Sequence, residues 1–232
     1  ASLSTLFYLS SFYCFLIALY KIELRSSTQS KLSIYGMIVL SLLLMRIALG
    51  VKLIIVSLPV VMVVYYYLFF YRGNVTAFWH KNKLQLSLSF TFLLILVLLF
   101  VGNIFTGLND MGMRVHGRLN YFLSQIMWFV FYYLKIWIFP FNLSIDPDVR
   151  LVTGFTDTGL LTAIAILVLL VLLIKNQPRL AVFGFIWMVL SIAPESSIIP
   201  LLDLVAEQRL YLPATGLIFG TTAMTAGKKW LP

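Results

Sequence analysis

Leu160-Leu-Thr-Ala-Ile-Ala-Ile-Leu-Val-Leu-Leu-Val-Leu-Leu-Ile174 is a run of 15 residues with no charged side chain and no alternation of polar and apolar positions. A strand of a membrane barrel alternates with a period of two, so a continuous apolar run favours a helix. Similar runs recur along the chain, whose 232 residues are 61% hydrophobic and 11% charged. A soluble domain carries about 25% charged residues. The composition therefore predicts an all-α integral membrane protein and excludes a soluble domain.

The apolar runs set the number of predicted membrane crossings. A hydrocarbon core of about 30 Å requires roughly 20 apolar residues in each helical span. We predict about seven transmembrane helices, which cover approximately 3–20, 32–49, 53–71, 84–105, 160–174, 180–193 and 210–226. Because no repeat, linker or shift in composition divides the chain, 1–232 is predicted to be a single polytopic membrane domain. It begins in an apolar run without the marks of a signal peptide, so we expect it to be a fragment of a longer chain.

Charge between the runs predicts the orientation in the membrane. Loops rich in Lys and Arg stay in the cytoplasm, and here these are 21–31, 72–83, 175–179 and the C-terminal end. The acidic loops 142–159 and 195–208 should then lie outside. These assignments agree with one another only if the aromatic-rich segment 121–141 is an interfacial or re-entrant helix. The net charge of +9 is thus explained by orientation in a membrane, and no nucleic-acid partner is predicted.

Motifs of soluble enzymes are missing from the sequence. The single cysteine, Cys14, excludes a disulfide framework within the chain, and there is no glycine-rich phosphate loop. His80 and His116 are neither paired nor flanked by cysteine, so no metal site is predicted.

The block from Pro194 to Pro213 is the most informative polar segment. It reads Pro-Glu-Ser-Ser-Ile-Ile-Pro-Leu-Leu-Asp-Leu-Val-Ala-Glu-Gln-Arg-Leu-Tyr-Leu-Pro and lies between two predicted spans. Its ionisable groups are costly at a membrane boundary unless they pair or bind something. One interpretation is a solvated loop with an ion pair from Arg209 to Glu207 or to Asp203. The other is a binding site.

This block resembles the Glu-Ser-Ser-Ile-Ile-Pro … Asp … Glu-His-Arg-Leu-Tyr-Leu-Pro signature of a family of polytopic bacterial membrane proteins. The family comprises TPR-containing proteins related to the transmembrane-and-TPR O-mannosyltransferases, which have the GT-C glycosyltransferase fold. Further stretches agree with family motifs in the same order, namely Ser4–Leu9, Lys52 before Pro59, Tyr121–Gln125, Tyr132–Ile136 and Pro140–Asp146. The resemblance therefore spans nearly the whole chain.

The resemblance implies sugar transfer from a polyprenyl-phosphate carrier at the outer membrane face. Such a sugar-loaded carrier would be the donor, and no other cofactor is implied. Arg209 and Lys52 would approach each other and neutralise the carrier phosphate, while Glu207 and Asp203 would orient Arg209 or contact sugar. The resemblance adds four further residues to the lipid-phosphate and sugar site: Glu195, Tyr211, Lys135 and Gln125. The family's acidic base would lie upstream of Ala1, so no catalytic residue is assigned.

Departures from the family pattern support an alternative. Gln208 replaces the family's His, Leu53 replaces a Glu, and Lys135 replaces an Arg. The chain could therefore be a non-catalytic accessory subunit of a larger membrane complex, with membrane lipids and other membrane protein subunits as partners. A transporter is a third interpretation, which is disfavoured because Arg46 is the one charge within a predicted span.

Overall fold

A computed structural model describes residues 2–23, 31–71, 78, 117–141, 143–144, 147–196, 200–201 and 203–225. Every regular element in these residues is a helix, which confirms the predicted all-α class. The chain divides into two compact units, residues 1–100 and 101–232. The sequence predicted a single membrane domain because no repeat or linker divides it, and that prediction stays untested.

The first unit is built from apolar helices in chain order. They are α1 (Ser2–Glu23), α2 (Lys31–Leu49), a 3₁₀ turn (Leu53–Ser57) and α3 (Leu58–Phe69). α1 and α2 pack along each other and match two of the predicted spans. Pro59 lies in the first turn of α3, where the amide hydrogen that proline lacks has no partner within the helix.

Hydroxyl groups join the helices of the first unit from within. Ser11 Oγ donates to the Ser41 carbonyl at 2.8 Å, and Ser41 Oγ donates to the Ser11 carbonyl at 2.9 Å. Near the start of α3, the Tyr8 hydroxyl lies 3.1 Å from Ser57 Oγ, which itself donates to the Ile54 carbonyl. These side chains are buried, so each polar group has replaced water by a protein partner.

The second unit has four helices in its described residues. They are α4 (Arg118–Ile138), α5 (Thr158–Ile174), α6 (Arg179–Ile192) and α7 (Tyr211–Thr225), and α7 follows a 3₁₀ turn at Glu207–Leu210. A π-helical turn, Phe129–Leu134, interrupts α4. The core of this unit joins α4, α5, α6 and the chain before α7 through buried side chains, among them Tyr121, Met127, Leu160, Met188 and Val205.

Glycines let α6 and α7 approach backbone to backbone. A Cβ atom added at Gly184 would lie 2.7 Å from the Gly220 nitrogen, and one added at Gly216 would lie 2.9 Å from Cβ of Trp187. The Trp187 indole N–H also donates to the Leu212 carbonyl at 3.2 Å, across the same pair of helices. Small residues at such contacts are typical of helix pairs in membranes.

The loop before α5 is attached to α4. The Trp128 indole N–H donates to the Arg150 carbonyl at 3.0 Å, and the Val152 amide donates to Ser124 Oγ at 2.8 Å. Asp157 caps α5 by accepting from the Leu160 amide at 3.1 Å. Its other partner is the Arg150 guanidinium, whose hydrogen bond holds the pKa of the Asp157 carboxyl below its usual range. The loop is therefore an ordered part of the unit.

Three helices of the described chain, rather than the predicted seven, are long and apolar enough to cross a membrane. They are Ser2–Ile22, Lys31–Leu49 and Arg118–Ile138. α5 and α6 have 17 and 14 residues, and at 1.5 Å per residue neither reaches about 30 Å. The predicted span 84–105 lies outside the described residues. α4 covers the segment predicted to be interfacial, and its length and composition suffice for a crossing; the interfacial placement stays a prediction.

Candidate functional site

An open cleft of about 710 Å³ lies in the second unit, beside the start of α7. Its lining comes from α4, from the chain that leads into α7 and from the first turn of α7: Ile136, Asp203, Ala206, Glu207, Gln208, Leu210, Tyr211 and Ala214. Two carboxylates, an amide and a phenol thus share one cavity with apolar side chains. Three of the lining residues, Asp203, Glu207 and Tyr211, are among the site residues expected from the sequence.

The wall of the cleft is made by irregular chain before the 3₁₀ turn. Because such chain leaves backbone groups without helical partners, side chains must supply partners where these groups are buried. Gln125 Nε2 donates to the Leu204 carbonyl at 2.6 Å. The Ala206 amide donates to the Tyr133 hydroxyl at 3.2 Å, and that hydroxyl lies 3.4 Å from the Ala206 carbonyl. α4 therefore holds the wall in place through the side chains on one of its faces.

Glu207 connects three parts of the second unit at the cleft. Its Oε1 accepts from the Tyr132 hydroxyl at 3.1 Å and from the Ser144 amide at 2.6 Å. Two hydrogen bonds to one carboxylate oxygen fix the orientation of the group. The carboxylate is only partly buried and lines the cleft, so it is both oriented and accessible.

Arg209 is turned away from the cleft and into the protein. Its side chain is 5% exposed, and its guanidinium donates to the carbonyls of Asp203 at 2.9 Å and Leu204 at 3.2 Å. Its carboxylate partner is Glu195, whose Oε2 lies 4.0 Å from Arg209 Nε. The sequence suggested Glu207 or Asp203 as that partner. Glu207 is instead oriented by Tyr132 and Ser144, and Asp203 meets Arg209 through its backbone.

The other expected site residues are dispersed. Tyr211 is 63% exposed and lines the cleft, whereas Gln125 is buried and acts on the wall. Lys135 is exposed on α4. Glu195 is buried, and its carbonyl accepts from the Tyr121 hydroxyl at 3.1 Å.

Lys52 belongs to the first unit. It is half-buried and extended, immediately before the 3₁₀ turn, and its amide donates to the Ala48 carbonyl at 3.0 Å. Arg209 belongs to the second unit. Their predicted approach around one phosphate stays a prediction.

Sequence reasoning missed several residues that build the site. Tyr132 and Tyr133 both bond the chain before α7, although adjacent residues of a regular α-helix point about 100° apart. They lie in the π-helical turn, which changes the phase of α4 and which periodicity does not reveal. Gln208, noted as a departure from a family motif, also lines the cleft, as does Ile136. The resemblance could have indicated Tyr132, Tyr133 and Ile136, because one of the family motifs covers the stretch Tyr132–Ile136.

Metal ligation has no candidate among the described residues, where no three His, Cys, Asp or Glu side chains come together as a metal site would require. His116 and His80 lie outside the described part of the chain. Comparisons of this chain with protein-family models, with curated proteins and with solved structures find no match. The arguments for function therefore rest on the cleft and on the motif resemblance.

Proposed function

We propose that this chain is the donor-binding membrane part of a GT-C type glycosyltransferase, which takes sugar from a polyprenyl-phosphate carrier. The observation that carries the proposal is the cleft beside α7, where Asp203, Glu207, Gln208 and Tyr211 share one cavity. These residues belong to the block that resembles the family signature. We assign the cleft to the sugar of the donor.

The chemistry of the lining suits a sugar better than a phosphate. Ionised carboxylates only accept hydrogen bonds, so Asp203 and Glu207 would accept from sugar hydroxyls. The Gln208 amide can donate and accept, and the exposed ring of Tyr211 offers a flat apolar face to a sugar ring. Two carboxylates would repel a phosphate placed between them. The carrier phosphate should therefore lie beyond this lining, toward a basic side chain such as Lys135, which is exposed on α4 next to Ile136.

We further propose that Arg209 shapes the cleft without binding the phosphate. Its guanidinium is engaged with the carbonyls of Asp203 and Leu204 and with Glu195. Its contact with the backbone of Asp203 would fix the direction of that carboxylate. The role that the resemblance suggested for Arg209, neutralising the phosphate directly, would then pass to another cation.

We also propose that the chain crosses a bacterial inner membrane about seven times, with the acidic loops 142–159 and 195–208 outside. The shorter helices α5 and α6 would cross with the help of flanking residues or locally thinned lipid. The cleft then faces the outer leaflet, where a polyprenyl-phosphate carrier presents its sugar.

Sugar transfer by the full-length protein in liposomes, from a labelled polyprenyl-phosphate sugar, tests the assignment. Glu207→Gln keeps the oxygen that accepts from Tyr132 and Ser144 but removes the charge. Asp203→Asn removes the charge of the exposed carboxylate in the wall. We expect each variant to lower both donor binding and transfer by about tenfold, which corresponds to about 1.4 kcal/mol. Asp148→Asn, an exposed carboxylate of the same unit, is the matched control and should leave both unchanged.

Binding and transfer are measured separately because the outcomes differ in meaning. If both cleft variants bind and transfer like the unmodified protein, the cleft is not the donor site. If the unmodified protein neither binds nor transfers but purifies in fixed ratio with other membrane proteins, the non-catalytic subunit is the better interpretation.

A further inference from the structure

The last residue of α4 and the chain directly after it expose a group of large apolar side chains. They are Ile138 at 56%, Phe139 at 59%, Phe141 at 71% and Leu143 at 59% exposure. We call these four residues the apolar turn. A soluble protein would be expected to bury such side chains, so their exposure requires a partner other than water.

The backbone holds the apolar turn in shape. The Phe139 amide donates to the Lys135 carbonyl at 2.7 Å, which closes the last turn of α4. The Phe141 amide then donates to the Phe139 carbonyl at 2.8 Å across Pro140, so the chain reverses sharply. The two rings are thus presented by a defined turn at the end of a helix.

The apolar turn is continuous with the cleft. Ile136, two residues before it, lines the cleft, and the amide of Ser144, one residue after it, donates to Glu207 Oε1 at 2.6 Å. The stretch that exposes the rings therefore begins and ends at the cleft. Whatever covers the rings also sets the surroundings of the cleft.

A lipid surface fits the apolar turn by chemistry and by continuity. α4, which it terminates, is long and apolar enough to cross a membrane. The stretch 136–144 carries no charged residue, and the exposed Lys135 stands just before it. Amphipathic aromatic rings such as the indole of Trp137 in this stretch favour the membrane–water interface, and a lysine beside them can reach lipid phosphates.

We propose that the apolar turn inserts into the interfacial layer of the bilayer, at the level of the lipid headgroups and first methylenes. It thereby fixes the height of the cleft against the membrane, so that an amphiphile can reach the cleft from the lipid with its polar end. This inference does not depend on sugar transfer, because it concerns the depth of the turn alone.

Depth-dependent quenching of a fluorophore tests the insertion. A Cys14→Ser background carries Phe141→Cys, labelled with the fluorophore NBD, and the full chain is reconstituted in vesicles of phosphatidylcholine and phosphatidylglycerol. Asp148→Cys in the same background is the matched control, since it is also exposed in the second unit. We expect 5-doxyl lipid to quench the label at position 141 at least twofold more than 12-doxyl lipid does. Aqueous iodide should quench the label at position 148 at least threefold more than the label at 141.

Each other outcome overturns the proposal. Equal iodide quenching at positions 141 and 148 would place the turn in water. Stronger quenching by 12-doxyl lipid than by 5-doxyl lipid would place the turn in the hydrocarbon core. Resistance of the label at position 141 to iodide and to both doxyl lipids would show that protein covers the turn. If Phe141→Cys does not fold, as judged by its melting in detergent, Leu143→Cys gives the same readouts. None of these results bears on donor binding, so failure here is distinguishable from failure of the proposed function.

Discussion

The two units of this protein join their helices in different ways. In the first unit, α1 and α2 are linked by the reciprocal hydrogen bonds of Ser11 and Ser41. In the second, α6 and α7 meet at Gly184, Gly216 and Gly220, where the backbones themselves are in contact. Both pairs are made of apolar helices. In lipid, the hydrophobic effect would not drive such helices together, because lipid tails are as apolar as the helix side chains.

The two kinds of contact differ in how much movement of the helices they tolerate. Hydroxyl bonds between helices tolerate small shifts, because a serine side chain can rotate to follow its acceptor. Backbone contact at glycine tolerates almost none, since a side chain on either helix would have to displace backbone. The rigid pair is also the one that leads into the cleft, as α7 follows directly from its wall. A fixed helix pair is a suitable support for a site whose carboxylates must keep their directions.

The largest effect is expected where a side chain is added at the glycine contact. Gly184→Leu would place Cβ under 3 Å from the backbone of Gly220, and neither helix can move without losing the rest of the interface. We expect a loss of about 3 kcal/mol or more in stability and little folded protein. Melting in detergent, followed by size-exclusion chromatography, measures this. Gly36→Leu on the exposed face of α2, where nothing lies within 4 Å, is the control and should melt like the unmodified protein.

If Gly184→Leu melts like Gly36→Leu, the close approach of α6 and α7 is wrong. The contrast between the two units would then disappear. An intermediate substitution, Gly184→Ala, adds only the Cβ atom and should already lower the melting temperature.

Substitution of Arg209 tests whether the stability of the second unit also depends on the charged chain before α7. Arg209→Ala would remove the donor to the Asp203 carbonyl, one of the two donors to the Leu204 carbonyl, and the cation beside the buried Glu195 carboxylate. Because a hydrogen bond to a charged group contributes about 1.5–3 kcal/mol and the Asp203 carbonyl is the one that loses its donor outright, we expect a loss of about 2 kcal/mol. Arg150→Ala removes an exposed arginine from the same unit, and because an exposed ion pair contributes little, it should lower the stability far less.

Arg209→Lys separates charge from geometry. Lysine keeps the charge near Glu195 but lacks the planar fork that reaches two carbonyls at once. We expect it to restore only part of the lost stability. Full restoration would show that the charge alone matters and would remove the argument that Arg209 fixes the direction of Asp203.

Sequence reasoning predicted the helical class because the apolar runs are continuous and leave no other way to satisfy the backbone. It also selected the polar block that forms the cleft, since Asp203, Glu207 and Tyr211 stand at a boundary where polar groups are costly. The partners of those residues could not be predicted. Glu207 bonds Ser144, 63 residues away, and a π-helical turn brings both Tyr132 and Tyr133 to the same strip of chain.

The helix formed by the run 53–71 is shorter than the run itself for a physical reason. An apolar run in a sequence includes the irregular residues that flank a helix, whereas the helix itself can be shorter. The run 53–71 begins as a 3₁₀ turn, and α3 starts only at Leu58. Arg209 shows a related limit: a sequence gives the charge of a residue but not whether its guanidinium faces a cavity or its own backbone.

The smallest effect is expected at the hydroxyl bonds between α1 and α2. Ser11→Ala removes one donor and the partner of Ser41 Oγ, which lies 3.2 Å from Ser11 Oγ. Hydrogen bonds between membrane helices average about 0.6 kcal/mol, so we expect a loss of about 1 kcal/mol, well below that of Gly184→Leu. Ser10→Ala, at the preceding position of α1, is the control.

Ser41→Ala and the double variant complete a cycle. The stability losses of the two single variants should sum to more than the loss of the double variant, because the two serines share one interaction. Strict additivity would mean that the two serines act separately, and a loss as large as that of Gly184→Leu would mean that hydroxyl and glycine contacts are equally intolerant of change.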